Sequence, residues 1–186
     1  MSIKISYKKK ISEKTIKNYV LFTNEDFVIS GLKNIYLSKN SALINKTIKS
    51  NKTKKNDIIS FNLNSDQKII LIKIKKNQTP TENEKKGANF YNFIKSNLLT
   101  NLTFLDKNIY EIQTKNKSFI DEFLHGLQIK SYEFDKYKTK KEIIDVNIVI
   151  NFTKKIPSTN KNNRFFSLLE GTNFTKDLVS EPGNIL

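Results

Sequence analysis

The side chains from which catalysis could be built are few in this sequence. His125 is the only histidine, cysteine is absent, and the acidic residues are thinly spread, with Glu25 beside Asp26 and Asp121 beside Glu122. A lone imidazole needs a partner to act as a general base, and neighbours along a helix or strand project in different directions, so neither adjacent acidic pair forms a dyad. On a helix starting near 117, His125 points almost opposite Phe119, Phe123 and Leu127, which predicts a solvated ring. Helix caps and surface charges account for the acidic pairs. Serines and threonines are plentiful, but with no second histidine and no placed lysine none can be assigned as a nucleophile. The five glycines never cluster, which excludes a Walker loop and a dinucleotide fingerprint. These residues therefore define no active site.

One segment is chemically distinctive. In "SYEFDKYKTKK" (131–141) aromatics interleave with lysines, a pattern that can stack bases while neutralising phosphates. In an extended backbone Tyr132 and Phe134 share one face, which predicts packing at a sheet edge with Lys136, Lys138, Lys140 and Lys141 in water.

The elements that must position these residues alternate. β-branched and aromatic runs predict strands at 3–7, 18–22, 57–63, 68–74, 108–112 and 142–150. The stretch 69–72 is apolar at every position, as in a strand covered by helices on both sides. Helices are expected at about 40–50, 82–98, 117–129 and 161–180. In the second, Thr81 and Glu84 form a candidate capping box after Pro80, and Gly87, Phe90, Tyr91, Ile94 and Leu98 share a face. Gly87 on that face would let the helix approach a strand closely. In the third, Phe119, Ile120, Phe123, Leu124 and Leu127 form the stripe. This alternation predicts an α/β domain with a mostly parallel or mixed sheet, and "TKKIPSTNKNN" (153–163) separates it from the last helix. That helix ends at a proline stop in "FTKDLVSEPGNIL".

With 186 residues, 37% of them hydrophobic, the chain can bury one sizeable core. The net charge of +15 points to an anionic partner such as nucleic acid. However, Arg164 is the only arginine among 33 basic side chains, and arginine is the usual bidentate reader of phosphate and guanine. The absence of cysteine removes disulfides and thiolate chemistry and fits a cytoplasmic chain; no secretory leader pattern opens it, and no apolar run is long enough to predict a membrane partner.

Two blocks resemble the leucyl aminopeptidases, the cytosol aminopeptidase family M17. "HGLQIKSYEFDKYKTKK" is similar to one family motif through Gly126, Tyr132, Phe134, Asp135, Tyr137 and Lys138. "EGTNFTKDLVSEPGNIL" is similar to a second through Asp177, Leu178, Pro182 and Asn184, with Lys176 where the family usually has arginine and Ser180 where it usually has asparagine. "IKIKKNQTPTENEKKGANFY" resembles the family's strand, loop and helix, without the usual glycines after the strand.

The resemblance implies a three-layer α/β/α fold with a macro-domain-like mixed sheet over residues 1–155. Residues 156–186 would be a long linker helix and the start of a catalytic domain. It implies a non-catalytic part of a metalloaminopeptidase whose two divalent ions, Zn or Mn, belong to that further domain, with neither metal ligands nor catalytic residues here. The implied partners are the protein's own catalytic domain, peptide substrates and a homohexamer. Asp177, Pro182 and Asn184 would then be joint residues. The alternative is a basic nucleic-acid-binding α/β domain. ADP-ribose binding is a weaker expectation still, because the clustered glycines of a phosphate cradle are missing.

Overall fold

The computed structural model describes residues 2–29, 36–51, 56–105, 107–109, 118–137, 139, 145–152 and 159–182. Six strands form one sheet: β1 (Ser2–Lys8), β2 (Asn18–Thr23), β3 (Ile58–Asn62), β4 (Lys68–Lys73), β5 (Asn101–Leu105) and β6 (Asp145–Asn151). Their spatial order is β1-β6-β5-β2-β4-β3. All neighbours run parallel except β3, which joins β4 as an antiparallel edge. The longer helices among the described residues are α1 (Ser41–Asn51), α2 (Pro80–Ser96), α3 (Phe119–Ser131) and α4 (Thr159–Ser180).

Strand alternation sends side chains to two separate cores. Val20, Phe22, Ile70, Ile72, Phe104 and Ile148 join the core that α2 and α3 fill. Tyr19, Leu21, Ile69 and Leu71 join the opposite one, with Ile44 and Ile48 of α1. The unbroken apolar run of β4 follows directly, since both of its faces are covered. The result is a three-layer α/β/α domain with a mixed sheet.

Phe22 anchors the larger core. Its ring meets Phe119 and Phe123 edge-on, with centroids at 5.0 and 5.2 Å, the geometry favoured by aromatic quadrupoles. Its backbone is held in an unusual way. The Asn108 side chain, fully buried, accepts from Phe22 N at 2.7 Å and donates to Phe22 O at 2.9 Å. Pairing of β2 with β5 covers Asn18 to Val20, so the Asn108 amide supplies hydrogen bonds to β2 beyond that register.

Several local expectations change. The strand beside β2 is 101–105 rather than 108–112: residues 107–109 are helical, and 110–112 lie outside the described residues. The capping box at α2 is two residues earlier, with Thr79 as N-cap, Glu82 closing the box and Pro80 in the first turn. Leu98 leaves the helix with φ 50° and is exposed, instead of completing the buried stripe.

Gly87 also has a different neighbour. It faces α3, not a strand: a Cβ there would lie 1.9 Å from Phe123 O. Reciprocally, a Cβ on Gly126 would lie 2.0 Å from Glu84 O. The two helices therefore cross backbone to backbone, each presenting its glycine to the other. Every residue from Phe119 to Leu127 is buried in consequence, because the sheet, α2 and α4 surround α3.

Candidate functional site

Burial of α3 on all sides overturns the reading of its polar residues. His125 is buried rather than solvated, and so are Asp121 and Glu122. His125 Nδ1 lies 2.9 Å from Glu84 Oε1 on α2, and Asn83 Nδ2 donates to Glu122 Oε2 at 2.7 Å. A carboxylate orienting an imidazole is the arrangement of a general base. Here, however, the proton-accepting atom Nε2 is sealed from solvent without a hydrogen-bond partner, and the Phe165 ring of α4 stands 5.1 Å away. The pair therefore joins helices and has no route to a substrate.

The two sequence blocks converge elsewhere, on a clasp between the end of α3 and the end of α4. Tyr132, the C-cap of α3, donates its hydroxyl to Asp177 Oδ1 at 2.6 Å. Lys136 Nζ and Tyr137 Oη both donate to the Glu181 carboxylate. Lys176 Nζ donates to Ile129 O at 2.9 Å and sits 5.0 Å above the Tyr132 ring. A cation there meets one of the last carbonyls of α3, where the helix dipole favours positive charge. The Phe134 and Tyr137 rings contact edge-to-face at 5.8 Å.

The segment 132–137 thus bonds to α4 instead of a sheet edge, and Lys136, exposed as expected, also pairs with Glu181. Tyr132, Phe134, Tyr137 and Asp177 come together, and Asp135 lies among them, partly buried. Gly126 serves the helix crossing, Leu178 points away from the body, and Pro182 follows exposed. Lys138 and Asn184 lie outside the described residues. Sequence reasoning missed Glu181, the acceptor at the centre of the clasp; its signal was an acidic residue directly before the helix-ending proline.

The electrostatics follow from these bonds. Donation from Lys136 and then Tyr137 holds the Glu181 carboxyl below its usual value, while Glu181 raises both donors. Desolvation, then Lys130, lowers Lys176, and desolvation, then the Asp177 bond, raises Tyr132. A carboxyl depressed on docking contributes above its ordinary value of 4.5 and loses that contribution as pH falls through the depressed value. A lysine raised on docking contributes below its ordinary 10.5 and loses it as pH rises through the raised value. Docking of the end of α4 is therefore strongest between these limits. In an NMR titration the Glu181 carboxyl should show a midpoint below 4.5, with amide shifts of 176–182 moving at the same midpoint. A midpoint at or above 4.5 would contradict the clasp.

Metal chemistry finds no donors here. Among the described residues no three His, Asp or Glu side chains gather where they could hold an ion, and the one histidine is engaged with Glu84. The residues present do not fit a two-metal centre. Among the described residues, no helix is long and apolar enough to cross a membrane.

An α/β/α domain with a mixed sheet, closed by a terminal helix clasped to its body, belongs to the macrodomain-like class. No protein-family model matches the chain. Over 131 residues, 68% of its length, it is 30% identical to a probable cytosol aminopeptidase of Clostridium tetani, and spans about a quarter (27%) of that relative. Its whole length superposes on tomato leucine aminopeptidase with a TM-score of 0.71 at 16% identity, covering 40% of that structure. It matches a cytosol aminopeptidase of Coxiella burnetii over 96% of its own length and 33% of the other, with a TM-score of 0.58 at 11% identity. The macrodomain of Thermus aquaticus DarG matches 81% of the chain and is itself 99% covered, with a TM-score of 0.50 at 10% identity. In sequence and fold together, the chain is an N-terminal domain of the cytosol aminopeptidase family, M17.

Proposed function

We propose that this chain is the non-catalytic N-terminal domain and linker helix of a metal-dependent leucyl aminopeptidase that removes N-terminal residues from peptides in the cytoplasm. The observation that carries the proposal is the 30% identity over 131 residues with a cytosol aminopeptidase. In this reading residues 1–155 form the macro-like domain and 156–186 lead into the catalytic domain. Two divalent ions, Zn or Mn, belong to that domain, where they would polarise the scissile carbonyl and activate a water; a neighbouring structure, the bottromycin maturation enzyme BotP, is described in complex with Mn.

Within this chain the clasp has an architectural role. Tyr132, Phe134, Asp135 and Tyr137 on one side, and Asp177 and Pro182 on the other, form the joint that sets how the linker helix leaves the body; Lys138, Leu178 and Asn184 complete the two family motifs in sequence. Gly126 sets the helix pair from which the clasp projects. The assembled enzyme would be a homohexamer. Beyond the net charge of +15, no observation among the described residues favours nucleic-acid binding: Lys136 and Tyr137, which could have served it, are held by Glu181.

The test is the full-length gene product assayed on a leucyl chromogenic amide, before and after chelation. Activity lost to the chelator and restored by Zn or Mn is the expected result, with residues 1–186 alone inactive under every condition. A full-length product inactive with either metal would overturn the assignment.

A further inference from the structure

Helix α4 has two unlike faces. One is clasped to the body. The other carries Ser167, Gly171, Phe174 and Leu178, spaced i, i+4, i+7 and i+11, so that they lie in one row along the helix. Phe174 and Leu178 are 64% and 42% exposed on this row, while the other exposed apolar side chains of α4, Phe166, Leu168 and Val179, flank it. Gly171 is the second observation. A mid-helix glycine weakens a helix, and among the described residues a Cβ on Gly171 would meet nothing within 4 Å. The chain's other two described helical glycines, Gly87 and Gly126, are each explained by a backbone pressed against them. Gly171 has the same form with the opposing backbone missing.

Resting on the function proposed above, we propose that the row Ser167, Gly171, Phe174 and Leu178 is the seat of the catalytic domain of the same polypeptide, with backbone of that domain packed against Gly171. A second copy of the chain fits less well. A helix of 22 residues is about 33 Å long and 10 Å wide, so one face offers roughly 300–400 Å² per partner, where a stable pair of free proteins needs about 800 Å². A face this small is sufficient when the partner is tethered and its effective concentration is high. The leucine aminopeptidase that superposes on the entire chain, α4 included, has more than half of its own length beyond the match, which supplies such a partner.

The experiment compares hydrogen exchange of amides 164–180 in the 186-residue chain and in the full-length gene product, each unaltered and as Gly171→Leu and Phe174→Glu. In the full-length protein these amides should exchange at least about tenfold more slowly than in the 186-residue chain. Both substitutions should abolish that gain while leaving the short chain folded, its exchange unchanged by Phe174→Glu and no faster with Gly171→Leu, which removes the helix-weakening glycine. A full-length aminopeptidase in which both variants keep full protection would overturn the docking proposal and leave the functional reading intact. A gene product without peptidase activity would overturn the functional reading itself, and the docking proposal with it. Concentration-dependent pairing of the 186-residue chain that Phe174→Glu abolishes would assign the face to a second copy instead.

Discussion

Gly126→Ala should lower the thermal midpoint by roughly 6–12 °C, the shift expected in a domain of this size for an overpacking cost of about 3 kcal/mol. The sign is the informative part. Glycine to alanine inside a helix ordinarily stabilises by up to about 1 kcal/mol through propensity alone. Here the new methyl would stand 2.0 Å from Glu84 O, a backbone atom that cannot rotate aside, so α2 and α3 must separate along their whole crossing. Gly87→Ala, meeting Phe123 O at 1.9 Å, should cost a similar amount. The double variant should cost less than the sum, because helices already parted by one methyl have room for the other. Calorimetry on the three variants decides it, and an unchanged or raised midpoint for either single variant would refute the close crossing.

Asn108→Leu should destabilise by about 2–6 kcal/mol, because it removes hydrogen-bond partners from two buried backbone groups at about 1–3 kcal/mol each. Phe22 N would lose its acceptor at 2.7 Å and Phe22 O its donor at 2.9 Å, inside the larger core. Asn108→Asp separates the two contributions: it keeps an acceptor for Phe22 N and sets a carboxylate against Phe22 O. It should therefore be no better tolerated than leucine. Urea titration of both variants provides the comparison. A loss below about 1 kcal/mol for Asn108→Leu would mean that β2 finds other partners at its end.

The sheet and its helices were largely legible because their periodicity is strong. The apolar run of β4, the stripe of α2 from Gly87 to Ile94 and the phenylalanine stripe of α3 all sit where their patterns place them. The failures have physical causes. "NLTFL" at 101–105 is as short and apolar as "NIYEI", and only pairing with β2 separates them: the first run joins the ladder, while Asn108 of the second bonds Phe22 through its side chain. His125 was read as solvated because a stripe on one face implies water on the other, and nothing local reveals that a third helix covers that face. At the candidate site the two blocks were visible as blocks, but Glu181 was not. Its role arises from a fold that brings residues 44 and 45 positions away to one carboxylate.

The enclosure of His125 has a practical consequence. The protein contains a single imidazole, so its ring protons give one pair of resonances in an otherwise unlabelled sample. That ring lies against Phe165, whose circulating π-electrons displace those resonances from their free positions. The chain thus carries its own spectroscopic gauge of helix α4. Any ligand or neighbouring domain that lifts the helix at constant pH separates the two rings and moves that pair of resonances.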